Sequence, residues 1–97
     1  MRTAARVDAN QNQVIAALRR VGATVEPIHM LGKGRPDLLV GFRGQNYLLE
    51  LKDGSKPPSA RRLTPDEERW RADWRGQAAV AGDIESALRC IGALEPG

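Results

Sequence analysis

The chain has little of several residue types on which whole classes of protein depend. Its 97 residues include one cysteine, Cys90, which excludes an intrachain disulfide scaffold and a cysteine-based zinc site within one chain. No apolar stretch is long enough to cross a membrane, and the N-terminus carries no cleavable signal pattern. We therefore expect a cytoplasmic protein that makes no use of a membrane.

Lysine is scarce in a chain that is nonetheless basic. Fifteen Lys and Arg residues against twelve Asp and Glu give a formal net charge of +3 and a pI near 9.6. Twelve of the fifteen are arginine, whose planar guanidinium suits phosphate recognition. This balance favours a polyanionic partner, although a GC-rich genome would produce the same arginine usage.

The length allows one domain, since domains usually run ~100–200 residues. Hydrophobic residues make up 41% and charged residues 28% of the chain, which is typical of a globular protein and too apolar for a disordered one. A chain of 10.6 kDa buries only a thin core, so we expect association with a second copy.

Helix and strand signals alternate along the chain. Residues 1–7 have no clear period and are interpreted as a loose arm. Asp8 with Gln11 marks one helix start, and Thr64 begins a capping box with Glu67. Beyond the arm we predict a helix to Gly22, a weak edge strand within 23–30, a hairpin of 37–42 and 47–52, a helix from 64 to Gly76, a buried strand over 77–81 and a helix from Asp83 to Gly92. The first helix should bury Val14, Ile15, Ala17, Leu18 and Val21. This order predicts a single α/β domain over residues 1–97.

Alternation along the hairpin strands divides their side chains between two faces. One face is apolar and consists of Leu38, Val40, Phe42, Tyr47, Leu49 and Leu51. The other carries Asp37, Glu50 and Lys52 at one end and leucines at the other. A turn centred near Gly44 places Asp37 opposite or diagonal to Glu50. Two carboxylates and one ammonium therefore converge at one end of a face.

Two acids at that distance repel each other unless positive charge lies between them. A hard divalent cation supplies it, because it takes carboxylate oxygens, water and a phosphate oxygen. Lys52 then reaches the attacking water or the scissile phosphate, an arrangement that assists phosphodiester hydrolysis. A lone Glu-X-Lys is usually a solvated strand with an ion pair. Pro36-Asp37 at the matched position of the preceding strand favours the catalytic interpretation.

These motifs carry a family resemblance. Gly34-Arg35-Pro36-Asp37, followed by Glu50-Leu51-Lys52 across a hairpin, resembles the PD-(D/E)XK nuclease superfamily. The element order is similar to its restriction-endonuclease-like αβββαβ core, an α/β fold with a mixed central sheet flanked by helices. The segment 63–67 before a Trp-bearing helix is similar to the virus-type replication-repair nuclease group, VRR-NUC. That group includes structure-specific nucleases that act on branched DNA such as Holliday junctions.

The resemblance implies roles for the hairpin residues. Asp37 and Glu50 become metal ligands, with the backbone carbonyl of Leu51 as a further ligand and Mg²⁺ or Mn²⁺ as the metal. Lys52 becomes the charge stabiliser or the group that orients water. Relatives often carry a glutamate on the first helix that is absent here, and Gln13 is the substitute to test.

Glu67 occupies a position where relatives often carry a polar residue, and we include it among the candidate catalytic residues. Helical spacing places it on the face of Trp70 and Trp74. Its alternatives are the reciprocal half of the capping box or a pair with Arg71. The two tryptophans are more often core or interface residues than a wedge for a DNA junction.

Basic residues near the predicted site are candidate DNA contacts. They are Lys33, Arg35, Lys56, Arg61 and Arg62. Each neutralises a phosphate in this interpretation and gives salt-sensitive binding, whereas the alternative is a solvated loop.

The sequence thus predicts a Mg²⁺- or Mn²⁺-dependent endodeoxyribonuclease that acts on branched or duplex DNA in a bacterial or phage-infected cell. A homodimer would place two active sites on the two strands of a junction. One alternative is a nuclease for flaps, nicks or ends. The other is a non-catalytic nucleic-acid-binding module that retains the fold. Whether a second protein takes part is left open.

Overall fold

The computed structural model describes residues 9–94, and the predicted arm and the Asp8 cap lie outside this range. The elements follow the predicted order. They are α1 (Ala9–Arg20), β1 (Thr24–Pro27), β2 (Leu38–Phe42), β3 (Gln45–Leu51), α2 (Pro65–Asp73), β4 (Ala79–Ala81) and α3 (Ile84–Cys90), with short 3-10 turns at His29–Leu31 and Pro58–Ala60. Within residues 9–94, no helix has the length and apolar character needed to cross a membrane.

The four strands form one mixed sheet in the order β1-β2-β3-β4. β1, β2 and β3 pair antiparallel, whereas β4 lies parallel to β3. A parallel neighbour requires a crossover connection, and α2 lies within it. The predicted edge position of β1 and the predicted mixed sheet flanked by helices are both confirmed.

The hairpin turn is tighter than predicted. Only Arg43 and Gly44 separate the strands, and both have positive φ angles, of 50° and 78°, as a two-residue type I′ turn requires. The resulting register pairs Leu38 with Leu49. Because side chains alternate, this register directs the predicted apolar face toward α1 and α3, whose side chains share its core.

Two apolar residues are more exposed than the pattern predicts. Val21 is 42% exposed because α1 ends at Arg20 and the chain turns through Gly22, which has a φ angle of 99°. Val80 in β4 is 41% exposed, so the prediction of a buried strand there is wrong. Its side chain alternates away from that of Ala81, which joins the core.

α2 begins as predicted but ends early. Thr64 and Glu67 form the capping box, while the helix stops at Asp73 rather than at Gly76. Trp74 leaves the helix with an extended backbone and its ring stacks on Trp70, with centroids 4.9 Å apart. No residue of α2 is buried. The tryptophans therefore lie outside the core.

Candidate active site

A glycine-rich turn brings the chain into β2 at the position of Asp37. Within it, Gly34 has a φ angle of 80° and lies so close to the backbone of Asp66 that a Cβ would overlap it. Pro36 is buried, and its ring fixes the approach to the strand. The turn thus fixes the position of Asp37 and packs against the start of α2.

Hydrogen bonds hold Asp37 between its neighbours. Its N–H donates to the carbonyl of Leu49 over 3.0 Å, and its own carbonyl accepts from Ile28 over 2.8 Å. Its Oδ2 accepts the N–H of Leu51 over 2.7 Å. The carboxylate is therefore fixed at the end of β3.

Glu50 lies on β3 beside Asp37 and is only 6% exposed. Its carboxyl group is close enough to that of Asp37, and to that of Glu67, for hydrogen bonding when one of each pair is protonated. Buried carboxylates normally have a cation or a set of donors around them. Here the nearest cation is Lys52, whose Nζ is 3.7 Å from Glu50 Oε2.

Lys52 joins the sheet to α2. Its N–H donates to the carbonyl of Ala81 over 2.9 Å, and its Nζ donates to Glu67 Oε1 over 2.8 Å. The same oxygen accepts the N–H of Thr64 over 2.8 Å. Glu67 therefore completes the capping box and belongs to the candidate active site at once, and the alternative pair with Arg71 does not form.

Glu50 and Asp37 hold protons tightly because they are buried and lie among other carboxylates. Burial, followed by the charges of Asp37 and Glu67, raises the pKa of Glu50 to about 9. Burial also raises the pKa of Asp37, although the Leu51 N–H opposes the shift. Three carboxyl groups and one ammonium cannot all be charged here without a further cation.

In the ion pair between Lys52 and Glu67, the pKa shifts favour the charged form of each group. Burial alone would lower the pKa of Lys52, but the hydrogen bond to Glu67 and the neighbouring carboxylates raise it overall. Burial would raise the pKa of Glu67, and the bonds from Lys52 and Thr64 lower it instead. Lys52 is therefore a stable ammonium and Glu67 a stable carboxylate.

The donor chemistry of this site fits a hard divalent cation. Asp37 and Glu50 offer oxygen ligands at a place where positive charge is lacking, and Mg²⁺ is commonly bound by one or two carboxylates with water and substrate phosphate. Within residues 9–94, no group of three or more His, Cys, Asp or Glu side chains could hold a metal ion together. A cation would thus be held mainly by two side chains.

Gln13, the proposed first-helix substitute, does not join this group. It lines a different cleft, between α1 and the segments 53–55 and 82–85. Gln11 is the buried polar residue of α1, and its side chain lies 3.3 Å from Nδ1 of His29. This pairing gives the ring of His29 a partner within the fold.

The candidate DNA contacts divide into two groups. Lys56, Arg61 and Arg62 are exposed on the loop after β3. Lys33 and Arg35 line a cleft against α2, with Arg69 and Trp70 on its other wall. No ion pair involves any of the five predicted cations within the described part of the chain.

Sequence reasoning missed the approach that creates this cleft. It depends on the contact between Gly34 and Asp66, which are far apart in the chain. The one local signal is the positive φ angle that a glycine permits. The sequence therefore does not predict that Arg69 is a neighbour of Lys33 and Arg35.

Comparison with known proteins supports a nuclease-type domain. No family model matches the chain, and no curated protein does. Among solved structures, a chain described as "VRR_NUC domain" is similar, with a TM-score of 0.60 and 25% sequence identity. The similarity covers 81% of this chain and 86% of that one, so it extends over most of both.

Proposed function

Starting from the VRR-NUC-like nuclease fold of this chain, we propose that it is a metal-dependent endonuclease that hydrolyses phosphodiester bonds in DNA. The observation that carries the proposal is the placement of Asp37 and Glu50. Asp37 directly precedes β2 and Glu50 lies on the adjacent strand β3. Their carboxyl groups lie within hydrogen-bonding reach of each other, beside the ammonium of Lys52. Buried like charges of this kind are typical of a cation site.

We assign Asp37 and Glu50, with the backbone carbonyl of Leu51, to holding Mg²⁺ or Mn²⁺. When bound, such an ion stabilises charge that develops on the phosphate and lowers the pKa of a bound water. The N–H of Leu51 fixes the Asp37 carboxylate through Oδ2. A carboxylate that is already fixed loses little entropy when it binds a ligand.

Lys52 acts as a cation and not as a base in this proposal. Its raised pKa keeps it protonated at neutral pH. It therefore donates a hydrogen bond to a non-bridging phosphate oxygen, where negative charge grows in the transition state. Glu67 is a positioning residue, since it holds Nζ of Lys52 through a 2.8 Å bond.

The proposed substrate is branched DNA, such as a Holliday junction, bound as two strands by a homodimer. The exposed cations Lys56, Arg61 and Arg62 on one side and Lys33 and Arg35 on the other flank the site in sequence and offer phosphate contacts. The homodimer, the junction preference and the cytoplasmic location stay predictions. Flaps, nicks and ends form the alternative substrate set.

The test uses end-labelled four-way junction, flap and linear duplex DNA with Mg²⁺, Mn²⁺ or EDTA. Asp37→Asn and Lys52→Ala should each reduce the cleavage rate at least about 100-fold, because each removes transition-state stabilisation. Glu85→Gln, an exposed carboxylate paired with Arg89, is the matched control and should cut normally. Tight, salt-sensitive binding without metal-dependent cleavage of any substrate would instead identify a non-catalytic binding module.

A further inference from the structure

A cleft of about 440 Å³ lies between the glycine-rich turn and α2. Its lining residues are Lys33, Arg35, Asp66, Arg69, Trp70 and Asp73. We propose that this cleft, called the Trp70 cleft below, binds an unpaired nucleotide of the DNA substrate. The base stacks on Trp70 and the phosphate lies beside Lys33 and Arg35. This inference rests on the proposed function, because it names the kind of DNA that the same site would cut.

The aromatic part of the cleft is a preformed stacking surface. Trp70 and Trp74 stack at 4.9 Å with their rings 18° from parallel, and of the two only Trp70 lines the cleft. Trp74 therefore supports one side of Trp70. A base on the cleft side would extend the stack to three rings, and such stacking accepts any base.

Hydrogen bonds fix this pair of rings to the sheet. The indole N–H of Trp74 donates to the carbonyl of Gln77 over 3.2 Å, and the side-chain amide of Gln77 donates to the carbonyl of Asn46. Asn46 belongs to β3. The rings are thereby held in place before a ligand arrives, which lowers the entropic cost of binding.

The charges of the cleft direct the phosphate of a nucleotide to one wall and its base to the other. Lys33 and Arg35 form the wall that belongs to the turn. On the α2 wall, Asp66 is neutralised by Arg69 at 2.8 Å, while Asp73 adds a negative charge. A phosphate is therefore drawn to the turn and repelled from α2, so that the base points toward Trp70. Paired bases in a duplex are not free to adopt this arrangement.

The Trp70 cleft and the candidate active site are built from neighbouring residues of the same two segments, the turn before β2 and the first turn of α2. Arg35 precedes Asp37 by two residues, and Asp66 of the cleft is followed by Glu67 of the site. Gly34 packs against Asp66 between them. An unpaired nucleotide in the cleft would thus place the neighbouring phosphate near Asp37 and Glu50. Cleavage is expected next to a boundary between single-stranded and duplex DNA.

Intrinsic fluorescence tests the inference, since Trp70 and Trp74 are the two tryptophans of the chain. Short oligothymidylate and a blunt duplex are titrated in EDTA, where no cleavage occurs. We expect the oligothymidylate to quench the emission. Trp70→Ala should weaken oligothymidylate binding about tenfold, as expected for the loss of one stacked base, and duplex binding less than about twofold. Trp70→Phe should restore most of the affinity.

Further variants distinguish a loss of base stacking from a loss of folding and from a general loss of positive charge. Lys33→Ala should reduce the slope of log affinity against log salt by about 1, the value for one phosphate contact. Arg20→Ala removes an exposed arginine at the end of α1 that does not line the cleft, and should leave the slope unchanged. Thermal unfolding confirms that each variant is folded. Equal loss of affinity for both DNA forms in Trp70→Ala, or no loss, would overturn the inference.

Cleavage assays keep the two proposals apart. Metal-dependent cleavage that Trp70→Ala leaves unchanged in rate and position would overturn the Trp70 cleft while the nuclease stands. Quenching and a Trp70-dependent preference for unpaired DNA, without cleavage of any substrate, would overturn the nuclease while the cleft stands.

Discussion

Nζ of Lys52 donates to Oε1 of Glu67 over 2.8 Å, and this bond connects the end of β3 to the first turn of α2. The same glutamate oxygen accepts the N–H of Thr64. The carboxylate of Glu67 thus orients the ammonium of the candidate active site and also caps α2. Because α2 has no buried residue, this polar connection is a principal attachment of the helix.

The dual role of Glu67 predicts that two substitutions differ. Glu67→Gln keeps an N3 side chain that can complete the capping box but removes the charge facing Lys52. Glu67→Ala removes both and should cost roughly 1 kcal/mol more in helix stability. Hydrogen exchange of the α2 amides measures the attachment, and the amides of α1 provide the internal control. Equal protection of α2 in both variants would contradict the role of the cap.

Glu50 predicts how the stability of the metal-free protein depends on pH. Its pKa is about 9 in the folded state and ordinarily 4.5, so the folded state binds a proton that the unfolded state releases. The contribution of Glu50 to the free energy of unfolding should therefore be highest below about pH 4.5 and fall as the pH rises toward 9. The raised pKa of Asp37 acts in the same direction.

Glu50→Gln mimics the protonated form and tests this sign. In EDTA at pH 8 the variant should be more stable than the native protein by roughly 1–3 kcal/mol, and the difference should disappear near pH 4.5. Urea denaturation at several pH values measures it. Glu85→Gln serves as the exposed control, with a small and nearly constant effect. A Glu50→Gln difference that stays the same at every pH would refute the explanation.

A divalent cation should stabilise the native protein, because a ligand that binds only the folded state raises its stability by mass action. Saturating Mg²⁺ or Mn²⁺ at pH 8 is expected to raise the Tm by several degrees, since about 1 kcal/mol corresponds to ~4–8 °C in a domain of this size. The Tm of Asp37→Asn and Glu50→Gln should respond little. A similar rise in all three proteins would show that the ion binds elsewhere.

Gly34 and Gly32 form a matched pair for testing the approach of α2. Both have positive φ angles, of 80° and 69°, but a Cβ on Gly34 meets the backbone of Asp66, whereas one on Gly32 meets nothing within 4 Å. Gly32 combines its positive φ with a ψ angle of −168°, so Gly32→Ala should cost only the backbone strain of about 1–3 kcal/mol. Gly34→Ala should also displace α2. Hydrogen exchange of residues 65–73 should rise in Gly34→Ala alone, and equal exchange in the two variants would contradict the contact.

The hairpin was predictable because its information is local. Alternation along 38–42 and 47–51 and a glycine at the turn are enough to sort the faces, and the observed register places Asp37 beside Glu50. The capping box at Thr64 and the helix start at Asp83 are equally local, and both form. These features need only periodicity and hydrogen bonding between residues close in the chain.

The position of α2 was not predictable in the same way. The bond between Lys52 and Glu67 spans 15 residues, and the approach of Gly34 to Asp66 spans more than twice that number. Neither has a periodic signature. The predicted end of α2 at Gly76 is also wrong, because Trp74 stacks on Trp70 and donates to the carbonyl of Gln77 instead of continuing the helix. Contacts made by a helix without a buried face are decided by tertiary geometry.

The absence of buried side chains in α2 also bears on how such a protein can change over generations. Substitutions at core positions such as Leu38 or Leu49, which are fully buried, create cavities and are removed by selection for stability. The outward positions of α2 carry no such penalty. Mutation can therefore alter the exposed surface of α2 while the hairpin acids stay in place, so that in the proposed nuclease substrate preference can diverge faster than chemistry.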